Sequence, residues 1–124
     1  MSKISVIGAG SVGATIANDL MIQGTASEIV LVDINKQKAF GEALDIYQGA
    51  PFCSPAIVRS GDYSATADSD IVIITSGLPR KAGQSRLDLA QANVNIIKDI
   101  APQVVKEAPN AKYVIVSNPV DVLT

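Results

Sequence analysis

The stretch Ile4-Ser5-Val6-Ile7-Gly8-Ala9-Gly10-Ser11-Val12-Gly13 joins a short, mainly apolar run to three glycines spaced as G-x-G-x-x-G. Such a run ended by glycine reads as a buried strand. Beyond it Val12, Ile16 and Leu20 recur every four residues, with Ala17 and Met21 beside them and Gly24 in place for a C-cap. That spacing predicts a helix with its apolar stripe on those residues. Ile29-Val30-Leu31-Val32, ended by Asp33, repeats the strand pattern. Strand, helix and strand with connections this short imply a right-handed crossover between parallel strands.

Further along, Asn35 can cap a helix whose buried face is expected at Phe40, Ala43, Leu44 and Tyr47, with Gly49-Ala50-Pro51 to stop it. Ala56 to Arg59 reads as a weak third strand. Ile71-Val72-Ile73-Ile74-Thr75 has the β-branched density of a central strand. A polar loop from Ser76 to Arg86 precedes a long helix carrying Leu87, Ala90, Val94, Ile97, Ala101 and Val104 at helical spacing, which Pro102 should kink or divide. Tyr113 to Val116 makes a fifth strand, and Ser117-Asn118-Pro119 turns away from its end. Strands alternating with helices describe an α/β fold, a doubly wound parallel sheet of about five strands in the order 3-2-1-4-5. Residues 1–124 are read as one dinucleotide-binding domain of Rossmann type. A six-stranded version would need a strand beyond Thr124, so the domain reads as cut short.

The bulk properties narrow the function. Of 124 residues 48% are hydrophobic and 18% charged, as suits a sheet covered on both faces. The net charge of −2 and the scatter of basic residues give no footprint for nucleic acid or an anionic membrane. No run approaches a membrane span or a signal peptide. Cys53 is the one cysteine, which excludes an internal disulfide and a cysteine metal cluster, so no metal site is expected and a reducing cytoplasm is the expected compartment. There is no histidine. Imidazole chemistry is therefore excluded for these residues.

The glycine motif alone is weak, but here it follows a strand, opens a helix, and is answered by Asp33 twenty residues beyond Gly13 at the end of the second strand. Gly8 permits the tight turn, Gly10 lets backbone approach a pyrophosphate, and Gly13 lets helix pack on strand. The amides of the first helical turn, at Ser11 and Val12, add positive dipole for phosphate. Asp33 should accept hydrogen bonds from the adenosine ribose and repel a 2′-phosphate, which favours NAD over NADP. A methyltransferase using S-adenosylmethionine shares the glycine-rich turn and acidic residue, but the spacing of all three glycines speaks against it.

Ligands in open α/β sheets sit beyond the carboxyl ends of the strands, where this chain has Thr75-Ser76-Gly77-Leu78-Pro79-Arg80-Lys81-Ala82-Gly83-Gln84-Ser85-Arg86. Three cations and two glycines suit either a lid over an anionic substrate or an ordinary solvated loop. The ordered set of Gly8 to Gly13, Val32-Asp33-Ile34, Gly41-Glu42-Ala43-Leu44-Asp45-Ile46, this loop and Ser117 to Thr124 resembles the L-lactate and L-malate dehydrogenase family across essentially the whole chain.

The resemblance implies hydride transfer between NADH and a 2-oxo acid. It makes Arg86 the residue that polarises the reacting carbonyl, and Arg80 the selector, arginine in malate enzymes and glutamine in lactate enzymes. Asn118 would stand near nicotinamide and substrate, and Ser76 and Gly77 would line the cofactor path. Arg80 thus favours malate, while Gln84 to Leu89 and Val120 to Thr124 are lactate-like and Ala82 stands where proline is common. Lactate stays open as the alternative. The family's histidine, its aspartate partner and its carboxylate-anchoring arginine belong to a part beyond Thr124. The catalytic domain is accordingly read as absent from this chain, which alone should be inactive. The resemblance also implies a homo-oligomer, dimer or tetramer, for the full-length enzyme. A stand-alone, non-catalytic NAD-binding module is the alternative of another class.

Overall fold

Alternating strands place successive side chains on opposite faces of a sheet, and the second strand uses both. In a computed structural model that describes residues 2–124, Ile29 and Leu31 join one apolar cluster while Val30 and Val32 join another across the sheet. The elements run β1 (Lys3–Ile7), α1 (Ser11–Gln23), β2 (Glu28–Val32), α2 (Lys36–Tyr47), β3 (Ile57–Gly61), β4 (Ile71–Ile74), α3 (Arg86–Glu107), β5 (Lys112–Ile115) and α4 (Val120–Leu123). Single 3-10 turns lie at Ala50–Phe52 and Tyr63–Thr66. All pairings are parallel, in the expected order β3-β2-β1-β4-β5. The reversal of strand order falls between β1 and β4, and this opens a crevice at their carboxyl ends.

Helices α1 and α2 close one face, setting Ala17, Met21, Ala39, Ala43 and Ile46 against Ile4, Val6, Ile29 and Leu31. Helix α3 closes the other, with Ile100 and Val104 against Val30, Val72 and Ile74. Full burial of each large aliphatic contributes about 1.5–3 kcal/mol, so both layers are needed to offset the entropy of ordering the chain.

Several local expectations need correction. The buried row of α2 is Ala39, Ala43 and Ile46, not the expected Phe40, Leu44 and Tyr47, which are exposed. Both rows have helical spacing. The small residues face the sheet because two alanines permit close approach, which leaves the bulkier row outside. Helix α1 is likewise turned by one position: Gly13, Ala17 and Met21 are buried, Ile16 and Leu20 partly so, and Val12 is exposed. Leu87 is exposed at the start of α3, whose buried residues are Asn93, Ile100 and Val104. Pro102 does not divide that helix. It lies on the exposed side, where water can reach the Lys98 carbonyl left without a helical donor. Strand β3 begins and ends later than expected, and α4 escaped the sequence reading because its single turn carries no periodicity.

Candidate functional site

Glycine is required at two points of the β1–α1 turn for steric reasons. Gly8 has φ +106°, a left-handed conformation, and a Cβ there would lie 2.7 Å from Thr75 Oγ1. A Cβ on Gly13 would run into the Gly8 carbonyl oxygen, so helix and turn could not close together with any larger residue. Gly10 differs, since a Cβ there would meet nothing within 4 Å. Space is left open where the expected pyrophosphate needs it.

The N-terminus of α1 faces that space. Its cap is Gly10, no side chain caps it, and its first turn contains no acidic residue. The first intrahelical bond runs from the Ala14 N–H to the Gly10 carbonyl at 2.9 Å. The amides of Ser11, Val12 and Gly13 therefore lie in the unpaired first turn, where an anion is favoured.

Asp33, just past β2, is oriented by backbone. Its Oδ2 accepts the Ala9 N–H at 2.7 Å and its Oδ1 the Asn35 N–H at 2.8 Å. A carboxylate offers about four acceptor positions, so two remain for a ribose diol. Asn35 in turn accepts the Lys38 N–H at 3.1 Å and caps α2.

A cavity of about 340 Å³ lies beside these groups, lined by Gly8, Gly10, Asp33, Ser76 and Gly77 of the expected set. Lys38, Tyr63, Leu78, Ile96 and Asp99 also line it, and sequence reasoning missed them because they come from four separate segments, namely α2, the turn at Tyr63, the loop after β4 and α3. Two larger hollows, one beside Tyr47 and Ile57 and one beside Asp70 and Lys112, lie at the amino ends of strands, the wrong end for a ligand in this fold. Burial raises the Tyr63 phenol above its usual value of 10.0, and the carboxylates of Asp99 and Asp33 push it the same way. The turn, the oriented carboxylate, the uncapped helix and the cavity together fit an adenine dinucleotide.

Ser11, Val12, Gly13, Arg80, Arg86 and Asn118 are outside that cavity lining. Arg80 is exposed in the loop after β4, where its Nε donates to the Gln84 carbonyl at 3.2 Å and Gln84 Oε1 accepts the Lys81 N–H at 3.1 Å. Arg86 is the first residue of α3. A capping box sets that start, with Ser85 Oγ accepting the Asp88 N–H at 3.1 Å and Asp88 accepting the Ser85 N–H at 3.3 Å. Ser85 and Asp88 at that spacing were a readable signal.

Asn118 follows β5, and its carbonyl accepts from Asn93 Nδ2 at 2.7 Å. Ser117 Oγ donates to the Ser76 carbonyl at 2.6 Å, so the loops after β4 and β5 are joined. Among the described residues no cluster of His, Cys, Asp and Glu could hold a metal ion, and no helix is long and apolar enough to cross a membrane.

Residues 2–124 match the family model described as the NAD binding domain of lactate/malate dehydrogenase. The chain is 58% identical over 123 residues to L-lactate dehydrogenase 1 of Clostridium acetobutylicum, covering 99% of this chain and 39% of that protein. It thus spans about two fifths of the length of the curated relatives it matches. Among solved structures it resembles malate dehydrogenase of Archaeoglobus fulgidus in complex with NADH, with a TM-score of 0.91 and 45% identity over 98% of this chain and 42% of that one. The minor L-lactate dehydrogenase of Enterococcus mundtii gives 0.90 and 39% identity over 98% and 39%.

Proposed function

The chain belongs to the lactate/malate dehydrogenase family as an NAD-binding domain, and from that premise we propose that it is the cofactor-holding part of an enzyme moving hydride between NADH and a 2-oxo acid. The observation that carries the reading is the backbone-oriented Asp33 carboxylate beside the open space at Gly10. When bound, the nicotinamide supplies the hydride. The chain's own residues bind and orient: Gly8, Gly10 and Gly13 shape the turn, the amides of Ser11 and Val12 meet phosphate, Asp33 takes the ribose, and Ser76 and Gly77 line the path.

Arg86 then draws charge from the reacting carbonyl, and its pull strengthens as the loop closes and water leaves. Asn118 holds the nicotinamide end and the substrate oxygen. With no histidine among its residues, the chain by itself is expected not to turn over a 2-oxo acid. General acid catalysis typically supplies about 10²–10⁴-fold, and that part falls to residues outside this chain. For the whole enzyme the reading adds a homo-oligomer, dimer or tetramer, and, from the single cysteine Cys53, a reducing cytoplasm as its compartment.

The names of the 56–58% identical relatives support L-lactate and pyruvate as the substrate pair. Arg80 favours a second reading, malate and oxaloacetate, because a guanidinium pairs with the extra carboxylate. Titration of this chain with NADH and with NADPH tests the cofactor reading. Preference for NADH is expected, and equal affinities would remove the role given to Asp33.

A further inference from the structure

Asn93, on α3, is 2% exposed, and its side-chain amide is hydrogen-bonded through both Oδ1 and Nδ2. Its Oδ1 accepts the Leu78 N–H at 2.8 Å, while Nδ2 donates to the Asn118 carbonyl at 2.7 Å and lies 3.5 Å from the Leu78 carbonyl. Gly77 passes over the same amide, and a Cβ there would come within 3.4 Å of Oδ1. Asn93 also lies seven residues after Arg86, about two turns along the same helix. One buried amide therefore touches the loop that carries Arg80 and the turn that carries Asn118, and sits on the helix that begins with Arg86.

We propose that Asn93 is a positioning residue that sets the register between the β4–α3 loop and the Asn118 turn, and thereby shapes the nicotinamide end of the cofactor site. The inference rests on the cofactor reading above. Only an amide fits: it accepts from one backbone group and donates to another at the same place, which neither a carboxylate nor an aliphatic side chain can do. Loss of either bond leaves a backbone polar group without its partner and lets the two loops part. The adenosine end, held by Asp33 and the glycine turn, does not touch Asn93.

The two ends can be separated by comparing NADH with ADP-ribose, which lacks nicotinamide. In the chain as it stands, Asn93→Asp and Asn93→Leu are expected to weaken NADH roughly tenfold or more while leaving ADP-ribose within about twofold. For Asn93→Asp the NADH affinity should recover as pH falls and the carboxyl gains a proton to donate to Asn118. Equal losses for both ligands would make Asn93 merely structural and overturn the proposal, as would unchanged NADH affinity. If either variant fails to fold, the unmodified chain still decides: the Asn93 side-chain amide resonance should shift with NADH and not with ADP-ribose, and the same response to both would overturn the proposal. An unmodified chain that binds neither ligand would instead sink the cofactor reading itself.

Discussion

The Asp33 carboxylate accepts the backbone N–H of Ala9 at 2.7 Å, so the tip of β2 and the middle of the glycine turn form one unit. The residue proposed to meet the ribose thus also holds the loop proposed to meet the phosphates. Asp33→Asn keeps an acceptor for Ala9 but removes the charge. It should cost NADH about 1.5–3 kcal/mol, the range for a hydrogen bond to a charged group, and narrow the gap to NADPH. Parallel titrations of both cofactors check it, and an unchanged ratio would count against the charge argument.

Gly10 and Gly13 should respond in opposite ways to alanine. Gly13→Ala drives a methyl into the Gly8 carbonyl and should destabilise the fold by about 1–3 kcal/mol or more, as overpacking does. Gly10→Ala meets nothing in the protein, so its unfolding free energy should stay within about 0.5 kcal/mol of the parent while dinucleotide affinity falls. Calorimetry of unfolding and of binding separates the two effects. A Gly10→Ala protein that binds normally would show that the pyrophosphate does not approach there.

Tyr63 should titrate above its usual 10.0, because burial and the neighbouring Asp99 and Asp33 all disfavour the phenolate. The sign follows from linkage. The neutral phenol is the form the fold prefers, so its contribution to stability is fully present below the unfolded value and is lost as pH rises through the folded one. Burial shifts Tyr113 the same way. Phenolate absorbance should therefore show late ionisation, with one late step missing in Tyr63→Phe. That variant should also lose less stability than the parent on going to strongly alkaline pH.

Arg80 is the residue at which the two substrate readings can be tested. Enclosing its guanidinium over pyruvate strands a charge, at about 3–5 kcal/mol, or roughly 10²–10³-fold or more in kcat/KM at about 1.4 kcal/mol per tenfold. Exposed beside Gln84, as here, it stays hydrated and the cost is small. The measurement is kcat/KM for oxaloacetate and pyruvate in a full-length enzyme carrying this domain, and in its Arg80→Gln variant. Preference for pyruvate before substitution establishes the lactate reading; a shift toward pyruvate on substitution establishes Arg80 as the selector.

Local chemistry wrote much of the fold into the sequence. The β-branched runs, the glycine turn, the Asn35 cap and Gly24, at φ +67° in its C-cap, act over a few residues, and so strand order and crossover sense followed from them. The motif residues Gly8, Gly10 and Asp33 were legible for the same reason, Ser76 and Gly77 came only from the family resemblance, and all five line the cavity. The need for glycine at Gly13 was legible too, as a close approach of helix to strand, while the contact with the Gly8 carbonyl emerged only from the structure.

What only the tertiary structure decided is which of two neighbouring rows faces inward and which distant groups meet. Phe40, Leu44 and Tyr47 have the same helical spacing as Ala39, Ala43 and Ile46, and hydrophobicity prefers the first row while the need for close approach to the sheet selects the second. Tyr63, Lys38 and Asp99 reach one cavity from separate elements, and no local pattern marks them. Asn93 is the clearest case. In the sequence it is one polar residue in a helix. Its meaning lies in two backbone groups fifteen and twenty-five residues away, and only the packing of α3 beneath both loops brings them to a single amide.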